Sequence, residues 1–441
     1  MLDRIASIVK LLTVGVVASL VYDDACELEW DTPIRQCLPE FGKRQDIIGK
    51  EAIVRDLLAM RSGLPVSHAS SAHQRAEMII PRSETIRMAA AVEAVAPFRK
   101  KFVDSQWNYS LVTNLVEQVT GKTFGTVARE KFLLHLGMTC THFGPHEDSK
   151  NDAKAHAVRD DFSACTILSP GATDQTDLAV AVGCKSSLHD VLNMYQSFLS
   201  ALAHQQKYHT SSTLKSPWKY TRMILDPHVV VGSDNEKLAY CLGIYRITLP
   251  AVLIVSSMNK QLFEAIGYPI PEFGTRNKVV VFANALPVVD STDIVAQLAL
   301  SIILGDTSLE EEFLSMAEVA QPFQITGYSR LYDRMEERKT ETTPSLPLEQ
   351  YEGEYHNAIG NVINCIKAIG DKLRMTVKDR EWELCEKGMW PFFSPKWHKI
   401  HFKLFALGEI VSFTWHHDLL RSPEVFENND NIVRSRIWAR I

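Results

Sequence analysis

Between Ile5 and Val21 the chain reads IASIVKLLTVGVVASLV, an apolar run with a single charge, Lys10, set inside it. Such a run has three fates. A membrane span needs ~20 apolar residues, more than separate Lys10 from Asp23. A signal peptide fits the placing of Arg4 and Lys10 ahead of the run and of Ala18 and Ser19 near its end. A buried helix gives the same residues a chemical use. Ser7-Ile8-Val9-Lys10 is an S-x-x-K pattern, and on a helix residues three apart share a face, so Ser7 Oγ and Lys10 Nζ can meet. A lysine desolvated by apolar neighbours has a lowered pKa, and as a neutral amine it takes a serine proton.

The residues that follow carry more information than the four-residue pattern. Residues 22–42 close a helix, make an acidic turn and run through Thr32-Pro33-Ile34 and Leu38-Pro39-Glu40-Phe41. Asp56-Leu57-Leu58 and Arg61-Ser62-Gly63-Leu64-Pro65 come next. Val112–Thr120 has helical apolar spacing with Gly121 placed as its C-cap, and Lys122–Phe143 adds a second helix before Leu136-Gly137-Met138. Ser187 and Asp190 make a capping-type start to a helix reaching about Leu202, after Ala181-Val182-Gly183. Residues 145–165 and 204–236 are polar and read as loop. Leu242-Gly243-Ile244-Tyr245 precedes a strand, and Lys278–Ala283 is the β-branched run of a buried strand, with a helix over Asp290–Leu304.

Together these motifs resemble the serine β-lactamase and penicillin-binding-protein-like hydrolases, of the class C β-lactamase and esterase type. In that family the S-x-x-K helix is followed by L-P-x-F and L-L-x-H-x-S-G-L-P segments, then by V-T-G-K-x-F…P-L-G-M, G-G-x-x-S-T-x-x-D-L and G-L-G-W. His135 stands where a proline is usual. The resemblance covers nearly the whole chain and is strongest over 4–65, 115–143, 278–304 and 344–360.

The resemblance implies an acyl-enzyme mechanism built from three elements. Ser7 is the nucleophile and Lys10 its base. The second element is normally Tyr-Ser-Asn or Tyr-Asn-Asn. Counting back from Val119-Thr120-Gly121 places it on Asp104-Ser105-Gln106, with Trp107-Asn108-Tyr109 falling where the family has a tryptophan, a small residue and a structural tyrosine. Asp104 then replaces the catalytic tyrosine and Gln106 the asparagine; an ionised aspartate either holds Lys10 by charge or acts as a different base. A register using Tyr109-Ser110 is the alternative. The third element, Lys-Thr-Gly or His-x-Gly on a strand, belongs around 250–275 and is absent as written; Gly267-Tyr268 and Gly274-Thr275 read as turns. Only six residues precede Ser7, which leaves the sheet with an open edge.

The fold expected is α+β: an antiparallel sheet flanked by helices plus an all-α lobe, followed by a small β-barrel-like domain. A charged, then Thr/Pro-rich stretch divides the chain into a hydrolase-like domain over 1–325, a linker over 326–345 and a β-rich domain over 346–441. With 46% hydrophobic residues in 441 the chain is neither disordered nor fibrous, and a net charge of −6 gives no footprint for nucleic acid. The eight cysteines are scattered without a CxxC pair, the usage of a reducing, cytoplasmic setting; secretion is the alternative if residues 1–20 act as a signal. No cofactor or metal is expected. His416-His417-Asp418 are adjacent in a strand and point to opposite faces, Asp174 and Asp177 lack calcium-loop spacing, and His68 and His73 read as surface residues. Trp390 and Trp397 read as core of the β-rich domain.

The partner implied is a small ester, lactone, amide or acyl substrate, with no nucleic acid or membrane and the oligomeric state open. Hydrolysis in fungal secondary metabolism is the first reading. A transesterase, in which an alcohol replaces water, uses the same residues. A degenerate member or an incomplete gene model explains the Tyr-to-Asp change and the missing third element.

Overall fold

A computed structural model describes residues 2–66, 80–144, 151–158, 163–166, 172–176, 178–232, 238–248, 253–259, 264–269, 278–283, 291–305, 310–319 apart from 312 and 316, 346–377, 380–384, 400–404, 409–416 and 422–429. His68, His73, Asp177, Gly274, Thr275, Trp390, Trp397, His417, Asp418 and the stretch 326–345 lie outside the described residues. The chain forms two compact units, residues 1–66 with 85–325 and residues 67–84 with 326–441.

In the first unit the apolar run becomes a 3-10 turn, Ala6–Ile8, continuing into helix α1, Val9–Tyr22. Leu11, Leu12, Val14, Val16 and Val17 are fully buried, so the helix is apolar on every side because every side is covered. The packing is close: a methyl group on Gly15 would lie 2.5 Å from the Phe132 ring. The unit has two further long helices, α2 over Gln106–Thr120 and α3 over Leu188–Tyr208. Gly121 caps α2 in the left-handed region at φ 66°, with its N–H on Glu117 O at 2.8 Å. Ser187 Oγ accepts from Asp190 N at 3.1 Å to start α3, which runs on past Leu202 to a left-handed His209.

Six strands form one antiparallel meander: β1 (Val229–Val230), β2 (Leu238–Tyr240), β3 (Tyr245–Thr248), β4 (Leu253–Asn259), β5 (Glu264–Pro269) and β6 (Lys278–Ala283), each paired with the next. Helix α4, Ser291–Leu304, packs on β5 and β6. The β6 run, expected to be fully buried, is half-buried throughout, because β6 is an edge strand among the described residues. Gly267 and Tyr268, expected in turns, lie inside β5 opposite Val280 and Val279. Residues ahead of Ser7 do pair, but elsewhere: Asp3–Arg4 forms a separate two-stranded antiparallel ladder with Lys185–Ser186.

The second unit is a seven-stranded antiparallel sheet: β7 (Gly353–His356), β8 (Ile363–Ile369), β9 (Lys372–Val377), β10 (Arg380–Glu383), β11 (Ile400–Leu404), β12 (Ile410–Trp415) and β13 (Glu424–Asn428). Its order is β10-β9-β8-β7-β13-β12-β11, so the first and last strands of the unit pair and the sheet curls. Alternate residues Leu373, Met375 and Val377 point inward with Tyr355, Ile366, Phe413 and Phe426, and the Phe413 and Phe426 rings stack at 5.0 Å. Antiparallel sheet with helices, a helical lobe and a curled β-rich C-terminal unit make up the α+β architecture that the sequence implies.

Candidate active site

Ala6 sits at φ 46°, a left-handed conformation disfavoured for a residue with a Cβ, immediately before Ser7. This bend turns the chain from the Asp3–Arg4 ladder into the helix and is held by Ile5 N–H on Cys184 O at 3.1 Å. Ser7 and Lys10 are 8% and 3% exposed. Lys10 Nζ donates to Ser7 Oγ at 2.8 Å and to Asp104 Oδ1 at 3.1 Å. The Asp104 side chain is 46% exposed. One ammonium thus joins a buried hydroxyl to a carboxylate that reaches water.

Asp104 is placed by the segment that leads into α2. Val103 N–H bonds to Met60 O at 3.0 Å, and Ser105 Oγ donates to Pro65 O at 2.7 Å. Ser62 Oγ donates to Asn108 Oδ1 at 2.6 Å. The Arg61-Ser62-Gly63-Leu64-Pro65 motif therefore anchors the start of α2. Beneath it, fully buried Asp56 accepts from Arg61 Nε at 2.8 Å, Arg99 Nη2 at 2.8 Å and Ile53 N at 3.2 Å. Gln106, the first residue of α2, is 3% exposed, and its Oε1 accepts no hydrogen bond among the described residues.

Tyr109 does a different job from Asp104. Its hydroxyl donates to Leu58 O at 3.1 Å, leaving it to accept from Tyr240. Its ring lies 5.8 Å from Lys10 Nζ. Burial pushes the Tyr109 hydroxyl far up, against the lowering hydrogen bond from Tyr240, and nearby Asp104 adds to the rise. A hydroxyl held protonated and given to a backbone carbonyl is a structural group. Tyr240 and Tyr245 are also raised chiefly by burial, with Asp104 contributing at both. With Phe102 they form an aromatic wall, ring centroids 4.8 to 5.6 Å apart. No sequence motif marks this wall: on Leu242-Gly243 the tryptophan position of G-L-G-W falls on Ile244, one residue before Tyr245.

Leu242-Gly243-Ile244 is a close approach, and the strand proper begins at Tyr245. Gly243, at φ 72°, donates to Leu58 O at 3.3 Å, and a Cβ there would lie 2.7 Å from Lys10 O. Gly243→Ala is expected to cost about 2 kcal/mol through left-handed strain and overpacking, and to slow chemistry at Ser7 by displacing the Lys10 turn. Denaturant midpoints and labelling rates of Ser7 check both halves.

Strands β4 and β5 lie against the turn that carries Ser7, where the family's third element is sought, and Gly267 sits within β5. Among the described residues no three His, Cys, Asp or Glu side chains come together as a metal site. Asp174 Oδ1 instead accepts from Gly125 N at 2.9 Å. No helix among the described residues is long and apolar enough to cross a membrane. The cluster of Ser7, Lys10 and Asp104 can move a proton away from a serine that attacks a carbonyl.

Comparison with known proteins follows the same lines. A sequence model of the family described as beta-lactamase matches residues 2–243. An unguisins hydrolase of Aspergillus campestris is 27% identical over 152 residues, covering 34% of this chain and 28% of that protein's length. An octameric penicillin-binding protein homologue from Pyrococcus abyssi superposes with a TM-score of 0.57 at 18% identity, covering 97% of this chain and 88% of that one. A D-stereospecific amidohydrolase from Streptomyces gives 0.51 at 16% identity, over 64% and 82% of the two chains. The last two likenesses are of fold.

Proposed function

The chain belongs to the beta-lactamase family, and from that premise we propose that it is a serine hydrolase working through an acyl-enzyme on Ser7. The observation that carries this is the 2.8 Å bond between Lys10 Nζ and Ser7 Oγ, both residues buried. Ser7 Oγ attacks a carbonyl, Lys10 takes its proton, and the same lysine returns a proton to the leaving group. Water then releases the acyl group. The relative named a hydrolase supports water as acceptor over the alcohol of a transesterase; its Aspergillus source supports a substrate met in fungal secondary metabolism.

The test of the whole reading is covalent labelling. A fluorophosphonate should attach to Ser7, located by peptide mass spectrometry, and Ser7→Ala should abolish it. A folded protein left unlabelled would overturn the hydrolase reading in favour of a binding role.

A further inference from the structure

We propose that Asp104 is the terminal acceptor of the Ser7 proton, reached through Lys10, so that acylation is driven by a carboxylate where a tyrosine is usual. This rests on Ser7 being the nucleophile. Lys10 Nζ is bonded to both oxygens at once, 2.8 Å to Ser7 and 3.1 Å to Asp104. The lysine is sealed from water and the aspartate is half exposed, so the chain of bonds leads outward from the buried hydroxyl.

The titratable groups that face Asp104 among the described residues leave it this part. Lys10 faces it from the N-terminal helix, Tyr109 from α2, Tyr240 from β2 and Tyr245 from β3. The three tyrosines are held protonated by burial, and the Tyr109 hydroxyl spends its hydrogen bond on Leu58 O. None offers a base at neutral pH.

The step balances within the chain. An Nζ–H bond breaks as its proton passes to Asp104 Oδ1, which leaves a lone pair on Lys10. That pair takes the proton from Ser7 Oγ, whose electrons form the bond to the substrate carbonyl carbon, while the carbonyl π pair moves onto its oxygen. When the tetrahedral species collapses, Lys10 protonates the leaving group and recovers its own proton from Asp104.

The pH profile separates this relay from a merely structural ion pair. With Asp104 present the rate should be flat through neutrality, because the proton moves between groups of the chain and none is exchanged with solvent. In Asp104→Asn the lysine must first lose a proton to solvent, so the rate should drop by about 10²–10⁴ at pH 7 and climb tenfold per pH unit above it. Asp104→Glu keeps a carboxylate on a longer arm and should restore the flat profile. Fluorophosphonate labelling rates of the three proteins, each checked for native circular dichroism, decide the matter. A flat profile in Asp104→Asn, at whatever rate, or a climbing profile in Asp104→Glu, overturns the relay. Absence of labelling in the unaltered protein at every pH would instead strike the hydrolase reading itself.

Discussion

Lys10→Met is expected to lower the rate at which a fluorophosphonate labels Ser7 by about 10³–10⁴-fold, near the upper end of what one proton-transfer group contributes. The fold should survive. Methionine keeps the unbranched length of the stem, and the lysine it replaces is almost wholly buried. Asp104, half exposed, exchanges its lost partner for water, and Ser7 Oγ loses one donor. Removing one partner of an ion pair strands the other, but a half-exposed carboxylate recovers most of its loss by hydration. The melting temperature should therefore stay close to that of the unaltered protein while labelling collapses, the pattern of a residue kept for chemistry. A time course of labelling beside a thermal melt reads both. Labelling that persists in a folded Lys10→Met protein would show that another group takes the serine proton.

That use of a buried charge for chemistry is also why the first part of the site was legible in the sequence. A charge inside an apolar run has no structural reason to be there, so Lys10 stood out, and helical spacing then gave Ser7. Local chemistry made other elements readable: Gly121 ends α2 and Ser187 starts α3 because caps need particular residues next to the chain they close. Asp104 was found only by counting along α2 from Gly121. What the sequence does not carry is which distant segments meet. Tyr240 and Tyr245 join Asp104 through a hairpin more than a hundred residues later, and nothing local announces it. The burial of β6 was overestimated for a related reason. A β-branched run looks the same at the centre of a sheet and at its edge, and only pairing decides. Gly267 was read as a turn because glycine is permissive; its place within β5, against the turn of Ser7, depends on tertiary approach.

Asp56→Ala is expected to destabilise the first unit by about 3 kcal/mol, through an ion cluster that the motif reading passed over as part of Asp56-Leu57-Leu58. The carboxylate is fully buried and accepts from charged and backbone donors: Arg61, Arg99 and the Ile53 amide. Alanine leaves two guanidinium groups without a counter-ion, each holding one backbone carbonyl, His228 O for Arg61 and Glu51 O for Arg99, and one N–H without an acceptor. Arg61 is more enclosed than Arg99, with side chains 18% and 37% exposed, so part of the loss is relieved by water at Arg99, and the figure sits at the lower end for a broken buried pair. The cost also reaches the chemistry. Arg61 belongs to the loop that bonds Ser105, and Arg99, at φ 61° in the left-handed region, begins the stretch that delivers Asp104. Freed of Asp56, that stretch has one fewer constraint against relaxing, and misplacing a reacting group by about 1 Å costs on the order of 10²-fold in rate. Urea midpoints should show the destabilisation, and Ser7 labelling well below the midpoint should show the loss of rate. A double-mutant cycle tests the cause. If stranded arginine charge is responsible, Arg99→Ala should cost much less in the Asp56→Ala background than alone, because its partner is already gone. Equal costs in both backgrounds would mean that Arg99 is held by something other than Asp56, and that the left-handed turn at Arg99, not the ion cluster, sets the position of Asp104.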